Sequence, residues 1–144
     1  MAGLVMLHLI KLSVGTADIA DLAGWQAERA KLDPPLRHRT RMSPKRVAEL
    51  LDGGSIYWVI GGFVRVRQRL LDIRPDTLDD GTAGCGLVLH RELVPVALRP
   101  QKPFQGWRYL DPAAAPADQP RGAGAAARRE KKPPARGQGK AARW

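Results

Sequence analysis

Cysteine is nearly absent from this sequence: Cys85 stands alone among 144 residues. One thiol can form neither an internal disulfide nor a thiolate zinc cluster, so packing and hydrogen bonds must hold the fold, and a reducing, cytoplasmic location is expected. With no base beside it in the sequence, Cys85 reads as a small buried apolar residue rather than a nucleophile. Metal-ligand spacing is lacking as well. His8, His38 and His90 are scattered, and neither a metal nor a cofactor is expected. No apolar run is long enough to cross a bilayer. The opening MAGLVMLHLIKL has no basic stretch before it and no small-residue cleavage site, and Lys11 interrupts it, so it reads as a buried strand and no membrane partner is expected. GGS at 53–55 and GTAGCG at 81–86 are glycine-rich. Neither has the lysine and spacing of a phosphate-binding loop or the strand-to-helix setting of a dinucleotide fingerprint, so both read as turns. Internal repeats are missing too.

Acidic residues are also in short supply, 14 against 24 basic ones, for a net charge of +10. The excess is uneven: residues 112–144 carry +6 and residues 1–111 carry +4. A strongly basic chain draws polyanions, although its charge says nothing about fold. Beyond Asp111 the composition turns to alanine, proline, glycine, lysine and arginine. Such a segment buries too little to offset the entropy of ordering, so 112–144 is expected to be a disordered basic tail, and 1–111 one globular domain.

The clearest pattern runs from Gly53 to Ile73. Ser55–Ile60 is β-branched and aromatic, Gly61-Gly62 suits a two-residue hairpin turn, and Phe63–Ile73 returns. Strand alternation puts Val64, Val66 and Leu70 on one side and Arg65, Arg67 and Arg69 on the other. Before the hairpin, Val5–Leu12 reads as a central strand apolar on both faces. A helix follows, capped by Thr16 or Asp18 and stopped at Asp33-Pro34-Pro35. LRHRTRM at 36–42 reads as a basic connection. A second helix is expected from Ser43-Pro44 to a left-handed glycine cap at Gly53. Residues 75–84 read as an exposed loop, with short strands at Cys85–His90 and Leu93–Leu98, the latter an edge because of Pro95. No regular strand is expected between 99 and Gly106. The fold class is α+β: a small, strongly curved mixed sheet or pseudo-barrel with two helices.

Taken together, HLIKLSVG at 8–15, HRTRM at 38–42, LLDGGSIYWVIGG at 50–62, VRQRLLDI at 66–73 and PFQGWRYL at 103–110 resemble a bacterial family of uncharacterised proteins, domain of unknown function 1489, over residues 6–111. That resemblance implies no catalytic role for any residue. The order of helix, glycine turn and basic hairpin is also similar to the small pseudo-barrels of the PUA and ASCH type, which commonly bind RNA. This second likeness concerns fold alone.

Two constellations could carry function. Arg65, Arg67 and Arg69, with Arg37, Arg39, Arg41, Lys45 and Arg46 nearby, would suit a phosphate backbone, because guanidinium forks pair bidentately with phosphate. Tyr57, Trp58, Phe104, Trp107 and Tyr109, with Arg108 between the last two, offer stacking surfaces for unpaired bases. RNA is therefore the expected partner, the tail adding unspecific attraction. The alternative is that these arginines form a solvated face. The second constellation is His38 in its polar loop, the best placed group for acid–base work. It would make the protein a small enzyme or binder acting on a nucleotide or other anionic metabolite. A protein-interaction module is the third class. Gln68 falls on the apolar side of its strand and must find partners, as a structural hydrogen bonder or a pocket group.

Overall fold

The computed structural model describes residues 5–120. In chain order it runs β1 (His8–Leu12), α1 (Ile19–Leu32), β2 (Arg37–Thr40), α2 (Val47–Leu50), β3 (Ser55–Ile60), β4 (Phe63–Thr77), β5 (Ala83–Leu89), β6 (Val94–Pro100) and β7 (Trp107–Leu110), then a single 3-10 turn at Pro112–Ala114. The class is α+β, as expected. Six strands form the path β2-β5-β4-β3-β1-β7, and β6 pairs with β4 off that path. Among the described residues, β1 and β3 are the one parallel pair.

β3 is buried along its whole length, so its alternating residues feed two cores. One face gathers Leu9, Ile56, Trp58, Ile60, Val66, Leu70, Leu87 and Leu89 beneath Leu22 of α1 and Leu50 of α2. The other gathers Ile10, Tyr57, Val59, Val64, Val96 and Leu110 beneath Phe104 and Ala115. A sheet covered on both sides explains why β1 and β3 read as continuous apolar runs. The helix α1 starts where Asp18 accepts a hydrogen bond from the Asp21 amide at 2.8 Å, which satisfies one of the free donors of its first turn.

The sheet is strongly curled but open. His38 of β2 meets Trp58 of β3 edge-to-face, 5.4 Å between ring centroids, although β5 and β4 lie between their strands in the sheet order. The edge strands β2 and β7 do not pair. The 41–46 loop bridges them instead, so the expected pseudo-barrel does not close.

Several local expectations are corrected. Residues 37–40 form the strand β2, because β5 supplies the register (Arg37 with Val88, His38 with Leu87) that RHRT does not announce. The helix expected from Ser43-Pro44 is the single turn α2, whose N-cap position, Arg46, makes no side-chain cap. The second hairpin strand runs four residues further than expected, to Thr77, with Pro75 opposite Cys85; the turn lies at 78–82, closed by the Leu78 amide donating to the Thr82 carbonyl. Trp58 pairs with Val66 and Val59 with Val64, leaving Arg65 as an extra residue. That bulge reverses the alternation, so Val64 packs on one face and Val66, with Leu70, on the other. Residues 112–120, placed in the tail by composition, lie against β6: the Ala97 amide donates to Ala117 and the Gln119 amide to Pro95, the latter at 3.0 Å. The rest of the expected tail, 121–144, lies outside the described residues.

Gly54 sits where α2 enters β3, and a Cβ there would overlap the backbone carbonyls of Leu7 and Leu50. Backbone cannot yield as a flexible side chain can. Gly54→Ala should therefore destabilise by about 3 kcal/mol, the upper range for overpacking, while alanine at Gly24, where a Cβ meets nothing within 4 Å, should not. Urea midpoints of the two variants check this.

Candidate ligand pocket and basic surface

Strand alternation in β2 sends Arg37 and Arg39 one way and His38 the other. On the arginine side, Asp33 accepts from Arg37 at 3.3 Å and from Arg39 at 2.7 Å. Asp76 accepts from Arg37 and lies 3.5 Å from Arg39. Asp79 binds Arg39 at 3.2 Å, and Asp80 binds Arg41 at 3.0 Å. The Arg37 hydrogen bond holds the Asp76 carboxyl below the ordinary range. Asp80 is likewise held low, chiefly by the Thr82 hydroxyl. Gly86 leaves the room that Asp76 occupies, since a Cβ there would strike its carboxylate. The basic connection 36–42 is thus a neutralised ion-pair network.

On the other side, His38 lines a cavity of about 370 Å³ with Lys11, Leu12, Leu22, Trp25, Leu36, Trp58 and Leu89, the 13–16 loop forming its rim. Burial, with a smaller contribution from the Lys11 charge, lowers the His38 pKa to about 4. Burial also lowers that of Lys11. The His38 Nε2 is shielded from solvent and has no hydrogen-bond partner, and among the described residues no carboxylate pairs with Lys11. An imidazole kept neutral down to about pH 4 offers one hydrogen-bond donor and one acceptor near neutrality.

A saturated network stands behind two residues of the cavity wall, Trp58 and Gln26. The Gln68 Oε1 accepts from the Trp58 indole and from Gln26, both at 3.0 Å. The Gln68 Nε2 donates to Gln26 at 2.7 Å and to the His90 carbonyl at 2.8 Å. Gln68 is therefore a structural hydrogen bonder, and Gln26 is its partner at the cavity wall.

Besides Arg39 and Arg41 in that network, the expected nucleic-acid residues fall in three places. Arg67 and Arg69 share a cleft on the opposite sheet face with His8, Ser55 and Tyr57, and there Asp118 grips Arg67 through two bonds of 2.7 Å. Arg65 stands apart in the bulge, its Nε shielded and unpartnered. Lys45, Arg46, Trp107 and Tyr109 meet at the β7 edge, occupied with structure: the Trp107 indole donates to the Met42 carbonyl, and the Tyr109 hydroxyl accepts from the Lys45 and Arg46 amides. Arg46 is held by Glu49 at 2.7 Å and stacks on Tyr109, while Arg108 stacks on Phe104. Sequence reasoning missed Lys11, Gln26 and Asp118. Lys11 alone left a signal, as a cation inside an apolar strand.

Among the described residues no three His, Cys, Asp or Glu side chains converge to hold a metal, and no helix is long and apolar enough to cross a membrane. The sequence profile of one family, described as protein of unknown function (DUF1489), matches residues 9–136. No curated protein and no solved structure matches.

His38 makes a checkable demand. Its folded pKa of about 4 lies below the unfolded value of roughly 6.5, so between these limits the unfolded chain takes up a proton that the folded chain refuses. Stability must fall as pH drops from about 6.5 toward 4, with a limit of about 3 kcal/mol from this group. His8, its pKa lowered by burial and by Arg67, adds a slope of the same sign. Urea unfolding at pH 7 and pH 4.5 should show wild type losing about 2 kcal/mol more than His38→Gln; equal losses would mean that the imidazole is not enclosed.

Proposed function

The chain belongs to the DUF1489 family of proteins of unknown function, and we propose that it binds a small organic anion with a flat apolar body in the His38 cavity. The observation that carries this is the unpartnered, shielded Nε2 of His38 with the Lys11 charge acting on it, in a space walled largely by Trp58, Trp25 and leucines, with Arg37, Gln26 and the 13–16 loop also lining it. A shielded polar atom without a partner is a standing penalty of about 1–3 kcal/mol, which a ligand could relieve. The volume of about 370 Å³ lies within the range of small-molecule sites, and so does the balance of apolar wall to few polar groups. Lys11 would pair with the anionic group, His38 would accept or donate one hydrogen bond, and the indole of Trp58 would meet the planar body. A nucleoside monophosphate or an aromatic carboxylate has this chemistry. With a pKa of about 4, His38 carries no proton to give as a general acid near neutrality, and in this reading it serves as a hydrogen-bonding group.

RNA binding, the expectation from charge and aromatics, would draw on Arg65, Arg69, Lys45 and Arg108. A phosphate backbone engaging Arg39, Arg41, Arg46 or Arg67 would have to displace Asp33, Asp79, Asp80, Glu49 or Asp118. That competition weighs against the basic face as the main site.

Tryptophan fluorescence can decide between the two, because Trp25 and Trp58 line the cavity. The full chain is titrated with benzoate, indole-3-carboxylate and nucleoside monophosphates, and separately with a single-stranded RNA. At least one small anion should quench saturably, with affinity falling tenfold or more in Lys11→Met and less in His38→Phe. Arg67→Ala/Arg69→Ala should leave that binding unchanged. No saturable quenching by any small anion, or equal affinity in Lys11→Met, would remove the pocket reading; RNA affinity lost in the double arginine variant would restore the basic face.

A further inference from the structure

On the sheet face opposite the His38 cavity, Arg67 and Arg69 point into a cleft of about 460 Å³ lined also by Met6, His8, Ser55 and Tyr57, with residues 112 and 115–118 along its other wall. Every side-chain polar group of the sheet wall can donate. The His8 Nδ1 accepts from the Ser55 amide at 3.0 Å, so in the neutral ring the proton lies on Nε2. The Ser55 hydroxyl accepts from Arg67 at 3.2 Å, leaving its own proton free to donate, and the Tyr57 phenol lies at the same wall. Against these donors stands one carboxylate among the lining residues, Asp118, and it sits in the Arg67 fork with both oxygens at 2.7 Å. This is the bidentate arrangement that a carboxylate or a phosphate takes on an arginine. Asp118 is half exposed, with 46% of its side chain accessible, and it belongs to a segment held by backbone bonds to β6, not by large apolar anchors.

We propose that this cleft is a second binding site, for the phosphate group of a phosphate monoester, and that Asp118 occupies it in cis as an internal substitute for the ligand's oxyanion. Two guanidinium groups and an imidazole N–H match a dianion better than a monoanion, which separates a phosphate monoester from a carboxylate or a phosphodiester. The pairing with Asp118 then sets a threshold: an incoming phosphate must outcompete a tethered carboxylate, and removing that carboxylate should raise affinity without any new contact. The site is independent of the His38 cavity, because the two open on opposite faces of β3 and β4 and share no lining residue.

Calorimetric titration of the full chain at constant ionic strength tests this, with inorganic phosphate as probe and acetate and dimethyl phosphate as carboxylate and diester controls. Asp118→Ala should bind phosphate at least tenfold more tightly than wild type, and adding Arg67→Met should abolish the gain. Lys11→Met should leave it unchanged, so failure of the His38 cavity and failure of this cleft are told apart. Asp118→Asn, nearly isosteric, carries the same expectation if the alanine variant does not fold. Phosphate affinity equal to wild type in the Asp118 variants, a gain that survives Arg67→Met, or acetate or dimethyl phosphate bound as tightly as phosphate would each overturn the proposal.

Discussion

The constraint on which the rest depends is the burial of one amide. Gln68 has no exposed surface, and a buried amide without partners would cost several kcal/mol. It is satisfied by drawing in three elements: Trp58 from β3, Gln26 from α1 and the His90 carbonyl after β5. Both donors and both acceptor positions of Gln68 are used. These bonds fix the seat of α1 on the sheet, the partners around β4 and the orientation of the Trp58 ring. The ring then meets His38 edge-to-face, so a hydrogen-bond requirement on β4 positions a side chain on an edge strand. The network thus satisfies the polar groups of two cavity-wall residues, Trp58 and Gln26.

Charge composition does not tell which cations are already paired within the chain. A net of +10 suggests a basic face, but five of the arginines expected there or nearby, Arg37, Arg39, Arg41, Arg46 and Arg67, are paired with carboxylates within the chain. Asp33 lies four residues before Arg37 and reads as a helix stop, whereas Asp76, Asp79 and Asp80 read as loop polarity and come alongside β2 through the β4–β5 hairpin. Lys11 lines a cavity without an ion pair to any carboxylate among the described residues, yet a single residue has little weight in a charge count. Net charge governs long-range attraction, whereas a site is decided by which charges lack partners at close range.

What could be read from the sequence was what local rules decide. The Gly61-Gly62 turn, with φ of +61° and +86°, the Asp18 cap and the strand starting after Gly106 each follow from a few adjacent residues. What could not be read was decided elsewhere in the chain. RHRT has no apolar face, and becomes β2 because β5 offers an edge. Residues 75–84 read as a loop by their polarity, yet 75–77 and 83–84 pair within the β4–β5 hairpin. Residues 112–120 have the composition of a tail and are held by backbone groups of β6 that no pattern in their own sequence announces. The candidate site was legible in part: His38 was singled out, but its partner Lys11 comes from a strand whose pairing with β3 and β7 sequence alone does not give.

The Arg65 bulge has the largest functional consequence. Without it, uninterrupted alternation would put Val64, Val66, Gln68 and Leu70 on one side and three arginines on the other. With one extra residue between Val64 and Val66, Val64 completes the core opposite α1, Gln68 turns toward Trp58, and Arg67 and Arg69 alone face the second cleft. Arg65 is separated from the other two. The bulge thus allots the polar residues of one strand to two sheet faces: an amide that holds two wall residues of the His38 cavity, and two guanidinium groups, of which Arg67 meets a carboxylate. Gln68 and Arg67 are adjacent in sequence, as are Trp58 and Tyr57 on the neighbouring strand. A shift of β3 against β4 would therefore be felt in both cavities at once, which makes this strand pair the physical link between the two faces.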